Sequence, residues 1–169
     1  MKFAPRVVGI ALCALAIDQF SKWLIVFGLG LRETRELDVF PPFLRFRMAW
    51  NEGINFGLFS DGSQMLRWIL IAVSIVAAGL ILSWSRRFEG WLGPVFAGGL
   101  VGGILGNGAD RIVHGAVADF LTMSCCGVSN PFSFNLADVF IFSGAFGVIL
   151  FQQRFAVRSG YGLNESRSD

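Results

Sequence analysis

Residues 66–84 read LRWILIAVSIVAAGLILSW, an apolar run with one charged residue, Arg67, near its start. A helix needs about 20 apolar residues to cross the hydrocarbon core of a bilayer. Three further runs of comparable length and apolar character occupy residues 7–30, 91–113 and 134–151. The sequence therefore predicts an all-α membrane protein with four transmembrane helices.

The composition of the whole chain agrees with a membrane environment. Of its 169 residues, 54% are hydrophobic and only 15% are charged, which is too apolar for a soluble domain of this size. The net charge is +2 and the basic residues are scattered, so we expect no nucleic-acid partner. We expect a single membrane domain over residues 1–169, monomeric and in contact with membrane lipid.

The start of the chain raises the question of a cleavable secretory signal. Lys2 and Arg6 precede an apolar run that contains Ala14-Leu15-Ala16, the kind of segment a signal peptidase removes. We reject this interpretation because apolar residues resume after Asp18 and continue to Gly30, giving a full span.

Four spans place both termini on the same side of the membrane. The segments that we assign to the cytoplasm carry basic residues: Lys2, Arg6, Arg86, Arg87, Arg154, Arg158 and Arg167. The loops at residues 31–65 and 114–133 then lie on the outer face. The first of these loops also carries four arginines, so the charge rule alone does not decide the orientation.

The first outer loop contains a pattern typical of a β-strand. Leu44, Phe46, Met48 and Trp50 alternate with Arg45, Arg47 and Ala49, which puts the larger apolar side chains on one face. One interpretation is a small β element on the outer membrane surface, with its apolar side toward lipid and its arginines toward phosphates. A strand that simply covers the helices fits equally well.

The third span is rich in glycine. Gly98, Gly99, Gly102, Gly103 and Gly106 form overlapping pairs of small residues four positions apart. This spacing favours close contact between helix backbones in membranes. We expect the third helix to pack tightly against its neighbours.

Four aspartates lie within or beside the predicted spans, where an ionised group is costly and usually functional. They are Asp18, Asp110, Asp119 and Asp138. Asp18 precedes Lys22 by one helical turn, so the two can pair, and Asp110 stands next to Arg111. We interpret Asp18 and Asp110 as ionised, structural members of polar clusters.

Asp119 and Asp138 differ because the chain has no lysine or arginine between Arg111 and Arg154. Desolvation without a nearby cation favours the uncharged form of a carboxyl. Two such carboxyls, if the fold brings them together, would share one proton and act as an acid and a base. Such a pair can activate water for attack on a peptide carbonyl without a covalent intermediate.

Other catalytic chemistries are poorly supported. A Ser21–Lys22 pair is disfavoured because adjacent helical residues point in different directions. The cysteines, Cys13, Cys125 and Cys126, and the one histidine, His114, do not form a ligand set for zinc. We therefore expect no metal and no cofactor. Taken alone, the intramembrane acids support a peptidase only modestly against a proton-coupled transporter or a structural membrane protein.

Five segments resemble the conserved blocks of the lipoprotein signal peptidases, also called signal peptidase II, in the family's order. They are Asp18-Gln19-Phe20-Ser21-Lys22, Asn51-Glu52-Gly53-Ile54-Asn55-Phe56, the glycine-rich run of residues 102–111, Val117-Ala118-Asp119-Phe120, and Phe134-Asn135-Leu136-Ala137-Asp138. Ile54 and Asn55 stand where the family commonly has small residues. The resemblance covers most of the chain.

The resemblance implies an aspartyl endopeptidase of the bacterial cytoplasmic (inner) membrane with Asp119 and Asp138 as its catalytic pair. Its substrate would be a prolipoprotein carrying diacylglycerol on a cysteine, cut just before that cysteine. Residues implied to bind substrate or support the site are Asp18, Lys22, Asn51, Gly53, Asn107, Asp110, Arg111, Asn135 and Ala137. For the polar ones among them, hydrogen bonding between helices is an equal alternative. A catalytically silent relative also remains possible from motifs alone.

Overall fold

The computed structural model describes residues 3–53, 63–86, 90–127 and 130–155. Its helices are α1 (Phe3–Lys22), α2 (Leu31–Thr34), α3 (Ser63–Ser85), α4 (Leu92–His114) and α5 (Leu136–Phe155). Its strands are β1 (Glu36–Phe40), β2 (Leu44–Asn51) and β3 (Val117–Met123). The chain between α1 and α2 continues as a π-helical turn at Trp23–Gly28. Predictions for Lys2, Ile54, Asn55, Phe56, Arg87, Arg158 and Arg167 lie outside the described residues.

Within the described residues, three helices are long and apolar enough to cross a membrane, namely Pro5–Gly28, Gln64–Ser85 and Leu92–His114. The corresponding predicted spans agree with them to within two residues at each end. The apolar part of α5 is shorter, Leu136–Leu150. The predicted start of that span at residue 134 is wrong, because Phe134 pairs with Leu121 in a β-bridge before the helix begins.

Helix α4 is central and packs against α1, α3 and α5. A Cβ atom added to Gly98 would lie 2.7 Å from the Ile10 Cβ of α1, and one on Gly102 would lie 2.5 Å from the Ala11 carbonyl oxygen. A Cβ atom on Gly103 would overlap the Ala137 carbonyl oxygen of α5. The prediction of close backbone packing is therefore confirmed, and glycine is required at these contacts.

The three strands form one antiparallel sheet in the order β1-β2-β3. Strand β2 confirms the predicted period-two strand, whereas β3 lies within residues 114–133, which the sequence analysis treated as a loop. The first four residues of β3 and Thr122 are buried, so both faces of the strand are covered. A strand buried on both faces lacks an alternating pattern, which explains why it was missed.

The apolar face of β2 covers the ends of the helices rather than lying free. Phe46 and Met48 pack on a buried cluster formed by Val26, Leu31, Ala118 and Phe120. The rings of Phe46 and Phe120 meet edge to face with centroids 5.9 Å apart. Strand β2 therefore fixes β3 above the bundle, the second of the two interpretations given for this strand.

One of the two strand arginines expected to meet lipid phosphate has partners within the sheet. Arg45 contacts Asp38 at 2.6 Å and Glu36 at 2.8 Å, both from the neighbouring strand β1. All three side chains are about half exposed, so these pairs contribute little stability. They link β1 to β2 on the surface of the sheet.

Candidate active site

The first candidate acid, Asp119, lies in β3 and is 4% exposed. The second, Asp138, lies in the first turn of α5. Asn135 contacts both: its side-chain Nδ2 donates to Asp119 Oδ1 at 2.6 Å, and its backbone N–H donates to Asp138 Oδ2 at 3.2 Å. One residue therefore holds both carboxyl groups.

The position of Asn135 follows from how α5 begins. Asn135 Oδ1 accepts a hydrogen bond from the backbone N–H of Asp138 at 3.0 Å, and Asp138 returns one to the Asn135 N–H. This reciprocal arrangement is a capping box, with asparagine and aspartate in the usual Ser/Thr and Glu/Gln places. Because Oδ1 is used for the cap, Nδ2 must point away from the helix and toward Asp119.

The second oxygen of Asp119 has its own donor. Asn51, at the end of β2, donates from Nδ2 to Asp119 Oδ2 at 3.1 Å. The orientation of that amide is fixed because Asn51 Oδ1 accepts the N–H of Gly53 at 3.0 Å. Gly53 has φ of +107°, a left-handed conformation that favours glycine. The Asn51 and Gly53 of the second sequence block thus act together on Asp119.

Asp138 is held by Asn107 of α4. Asn107 Nδ2 donates to Asp138 Oδ1 at 2.9 Å. The Asn107 Oδ1 atom accepts from Lys22 Nζ at 3.2 Å and from Asn135 Nδ2 at 3.1 Å. Since an ammonium group can only donate, Lys22 fixes which end of the Asn107 amide faces the acid.

The two remaining acids form a buried cluster around the same lysine. Lys22 Nζ lies 2.8 Å from Asp18 Oδ2 and 2.8 Å from Asp110 Oδ2. The predicted pairing of Asp18 with Lys22 is confirmed. The expected cation for Asp110 was wrong, because Lys22 from α1, and not the neighbouring Arg111, makes its ion pair. Tertiary packing supplied a partner that sequence proximity did not indicate.

The cluster also contacts the backbone directly before each candidate acid. Asp110 Oδ2 accepts the N–H of Ala118 at 3.2 Å, and Asp18 Oδ1 accepts the N–H of Ala137 at 2.9 Å. Asp18 therefore satisfies a free amide at the start of α5, where a negative charge is favoured. Asp110 thus positions the backbone before Asp119, and Asp18 positions the backbone before Asp138. This gives Ala137 a role through its backbone.

Arg111 lies on the same side of α4 as the site. Its Nη1 donates to the Asn107 carbonyl oxygen at 3.1 Å, and its guanidinium interacts electrostatically with Asp110, Asp119 and Asp138. The Nε atom is buried without a hydrogen-bond partner in the described structure. All nine residues named with the two acids from the sequence therefore lie in one connected site.

Gln19 was not among the predicted site residues. Its Nε2 lies 2.8 Å from Asp110 Oδ1 and 3.1 Å from Asp18 Oδ2, so it links the two structural aspartates beside Lys22. Its signal in the sequence was a polar side chain inside a span, next to Asp18. Ala118, which acts through its backbone N–H, left no such signal.

Burial changes the proton affinity of the acid in the sheet. Desolvation, and to a smaller extent the nearby charge of Asp138, raise the pKa of Asp119 to about 6 against the lowering effects of its hydrogen bonds and of Lys22. A carboxyl with this pKa can hold or release a proton near neutral pH. Together with a second carboxyl, it can serve as one half of a proton relay.

The described residues offer little support for a metal site or for a serine nucleophile. No group of three or more His, Cys, Asp or Glu side chains that could hold a metal occurs there. Ser21 Oγ donates to the Asp18 carbonyl oxygen at 2.7 Å, and so is engaged by its own helix.

A cavity of about 250 Å³ adjoins the buried cluster around Lys22. It is lined by Lys22, Asp110, Trp50 and His114, among others.

Comparison with known proteins identifies relatives over nearly the whole chain. The sequence model of the family described as signal peptidase (SPase) II matches residues 10–154. The lipoprotein signal peptidase of Methylorubrum extorquens is 40% identical over 148 residues, covering 88% of this chain and 85% of that protein. That of Methylocella silvestris is 33% identical over 168 residues, covering 98% and 96%.

Two solved structures, both described as bacterial membrane enzymes, have the same fold. One superimposes with a TM-score of 0.67 at 23% identity, covering 96% of this chain and 93% of the other. The second has a TM-score of 0.72 at 22% identity, with coverage of 86% and 91%. At this level of identity, these likenesses show the fold alone.

Proposed function

The chain belongs to the signal peptidase II family, and we propose that Asp119 and Asp138 are the pair of acids with which it cleaves its substrate. Membership makes it a multi-pass membrane protein and an aspartic-type lipoprotein signal peptidase, a hydrolase acting on prolipoproteins. The transporter and silent-relative hypotheses are therefore dropped. What remains to be assigned is which residues perform the reaction, and how.

The observation that carries the assignment is the bridging position of Asn135. Its side chain donates a hydrogen bond of 2.6 Å to Asp119, and its backbone N–H donates one of 3.2 Å to Asp138. The two acids therefore share a single support where β3 meets α5. Asp18 and Asp110 are instead both engaged in ion pairs at 2.8 Å with Lys22. An acid neutralised in this way is poorly suited to exchange protons during catalysis.

The proposed reaction needs one protonated and one ionised carboxyl. The ionised member takes a proton from water as the water oxygen attacks the scissile carbonyl carbon, and the protonated member gives its proton to the carbonyl oxygen. In the second step the first acid returns its proton to the leaving nitrogen as the C–N bond breaks. The hydroxyl of the intermediate then gives a proton back to the second acid, and the pair is regenerated.

The substrate that fits this arrangement is a prolipoprotein whose cysteine already carries diacylglycerol, cut just before that cysteine. The acids lie where the sheet meets the helix ends, so the peptide can reach them while the acyl chains stay in the bilayer. Arg111 and the Asn51 side chain supply further polar contacts beside the acids. No metal and no cofactor is required for these steps.

The membrane arrangement that we propose has α1, α3, α4 and the shorter apolar part of α5 crossing the bilayer as one domain. The sheet and the active site then lie on the outer face of the bacterial inner membrane, with both termini in the cytoplasm. The basic residues Arg6 and Arg86 at the end of the bundle opposite the sheet support this orientation, but the four arginines at the sheet end oppose it, so the proposal rests mainly on the family. The enzyme is proposed to act as a monomer within the lipid.

The test uses purified protein and a diacylglyceryl-modified prolipoprotein, with the mass of both products measured. We expect one cut, directly before the lipidated cysteine, and little or no cutting of the same prolipoprotein without its lipid. Equal cutting of both forms would contradict the proposed substrate. A cut elsewhere in the chain would contradict the proposed position of the peptide.

A further inference from the structure

The two proposed catalytic acids have different surroundings, although each receives two hydrogen bonds. Asp119 lies in a strand and is 4% exposed, while Asp138 is only partly buried and lies in the first turn of a helix. The positive end of the helix dipole favours a charged carboxylate at Asp138. Burial opposes a charge at Asp119. The two environments therefore divide the roles of acid and base.

A buried cation adds to this difference through Asn107. Lys22 Nζ donates to Asn107 Oδ1 at 3.2 Å, and Asn107 Nδ2 donates to Asp138 Oδ1 at 2.9 Å. Hydrogen bonds in series polarise one another, so the amide becomes a stronger donor when its oxygen is bound by an ammonium group. The donors to Asp119 come from Asn51 and Asn135, and neither of those amides accepts from a charged group.

We propose that Lys22, acting through Asn107, is a positioning residue that keeps Asp138 ionised as the base, and that the shared proton resides on Asp119. This assignment rests on the proposed function and deepens it. Asp138 then removes the proton from water, and Asp119 protonates the substrate carbonyl. The roles follow from fixed donor directions: Lys22 sets the Asn107 amide, and the α5 cap sets the Asn135 amide.

The charged groups of the site come from four elements that pack together. They are Asp18 and Lys22 from α1, Asp110 and Arg111 from α4, and the two acids themselves from β3 and α5. The charge of Lys22 also acts directly on Asp119 and favours its ionised form, yet burial is the larger influence there. The balance leaves the pKa of Asp119 raised to about 6.

The direct test is infrared spectroscopy of the substrate-free protein at about pH 5. That pH lies below the pKa of Asp119, about 6, and above the value of about 4 for ordinary carboxyls. The band to follow is the C=O stretch of a protonated carboxyl in difference spectra against the wild type. We expect Asp119→Asn to lose this band, while Asp138→Asn and the surface control Asp38→Asn keep it.

A band that persists in Asp119→Asn and disappears in Asp138→Asn would reverse the assignment. Loss in both variants, or in neither, would also contradict a proton held by Asp119. The measurement needs no turnover. Failure of the acid pair as a catalyst, judged from cleavage, is therefore distinguished from failure of this assignment.

The role of Lys22 is tested with Lys22→Met, which keeps a long side chain and removes the charge. Without the polarised donor, the base form of the acid pair should be less favoured, so the acidic limb of the kcat/KM profile should move to higher pH. A merely structural role would lower kcat/KM at every pH without moving that limb. An unmoved limb would remove Lys22 from the proposal. If the variant does not fold, the infrared test above still decides the assignment.

Discussion

Replacing Gly103 by alanine should separate α4 from α5 at the level of the active site. A Cβ atom there would overlap the Ala137 carbonyl oxygen and lie 2.9 Å from the Ile141 Cγ1 atom. Two of its three nearest atoms belong to the α5 backbone, which has no rotamer to change. The helix itself must therefore move, by roughly half an ångström if normal contact distances are to be restored.

The expected cost follows from that movement. Overpacking of a well-packed interior destabilises by about 1–3 kcal/mol. A shift of α5 by half an ångström would also lengthen the Asn107–Asp138 hydrogen bond, now 2.9 Å, to a value near the limit for such a bond. Because small displacements of catalytic groups are costly, we expect turnover to fall by about 10- to 100-fold.

The matched control is Gly99→Ala, one turn earlier on the same helix. A Cβ atom at Gly99 would meet its nearest neighbour, the Phe140 carbonyl oxygen, at an ordinary 3.9 Å. The assay is cleavage of a diacylglyceryl-modified prolipoprotein, with thermal unfolding in detergent measured alongside. Gly99→Ala should match the wild type in both. Equal rates and equal unfolding temperatures for the two variants would refute the reasoning.

Three further predictions concern charge and chemistry. Asp110→Asn should lower the thermal unfolding temperature by several degrees, because Lys22 loses one of its two buried carboxylate partners; unchanged stability would show that the pair contributes nothing. Because the pKa of Asp119 is raised from 3.8 to about 6, the wild type should lose about 2 kcal/mol of stability relative to Asp119→Asn as pH rises from about 4 to 6. The measurement is urea unfolding of both proteins across that pH range. A difference in unfolding free energy that does not change with pH would contradict the prediction. Cleavage should survive exhaustive chelation and alkylation of the three exposed cysteines; activity that is lost and then restored by one added metal would favour a metallopeptidase.

Much of the helical architecture could be predicted because a bilayer imposes length and hydrophobicity on each span. The three longest helices confirm this. Strand β2 was also predictable, since large apolar residues alternate with other residues along its sequence. Strand β3 was not, because burial on both faces removes the alternation and places Asp119 in what looked like a loop. The start of α5 was misjudged because Phe134 continues an apolar run but pairs with the sheet.

The candidate site was predicted better than the contacts within it. Local charge and the family resemblance both selected Asp119 and Asp138. Neither could indicate that Lys22 would reach Asp110 from another helix, since such pairs depend on how helices pack and not on spacing along one of them. The contributions of Ala118 and Ala137 come from backbone N–H groups, which no side-chain motif records.

The central claim is that Asp119 and Asp138 together perform the cleavage, and the most direct test is the turnover of the lipidated prolipoprotein by their single asparagine variants. Asp38→Asn is the matched control, because it makes the same substitution at a carboxylate in β1 that is about half exposed. We expect both site variants to remain folded and to lose cleavage, by a factor on the order of 10³ or more, while the control keeps the wild-type rate. Near-normal turnover by a folded Asp119→Asn or Asp138→Asn protein would contradict the account.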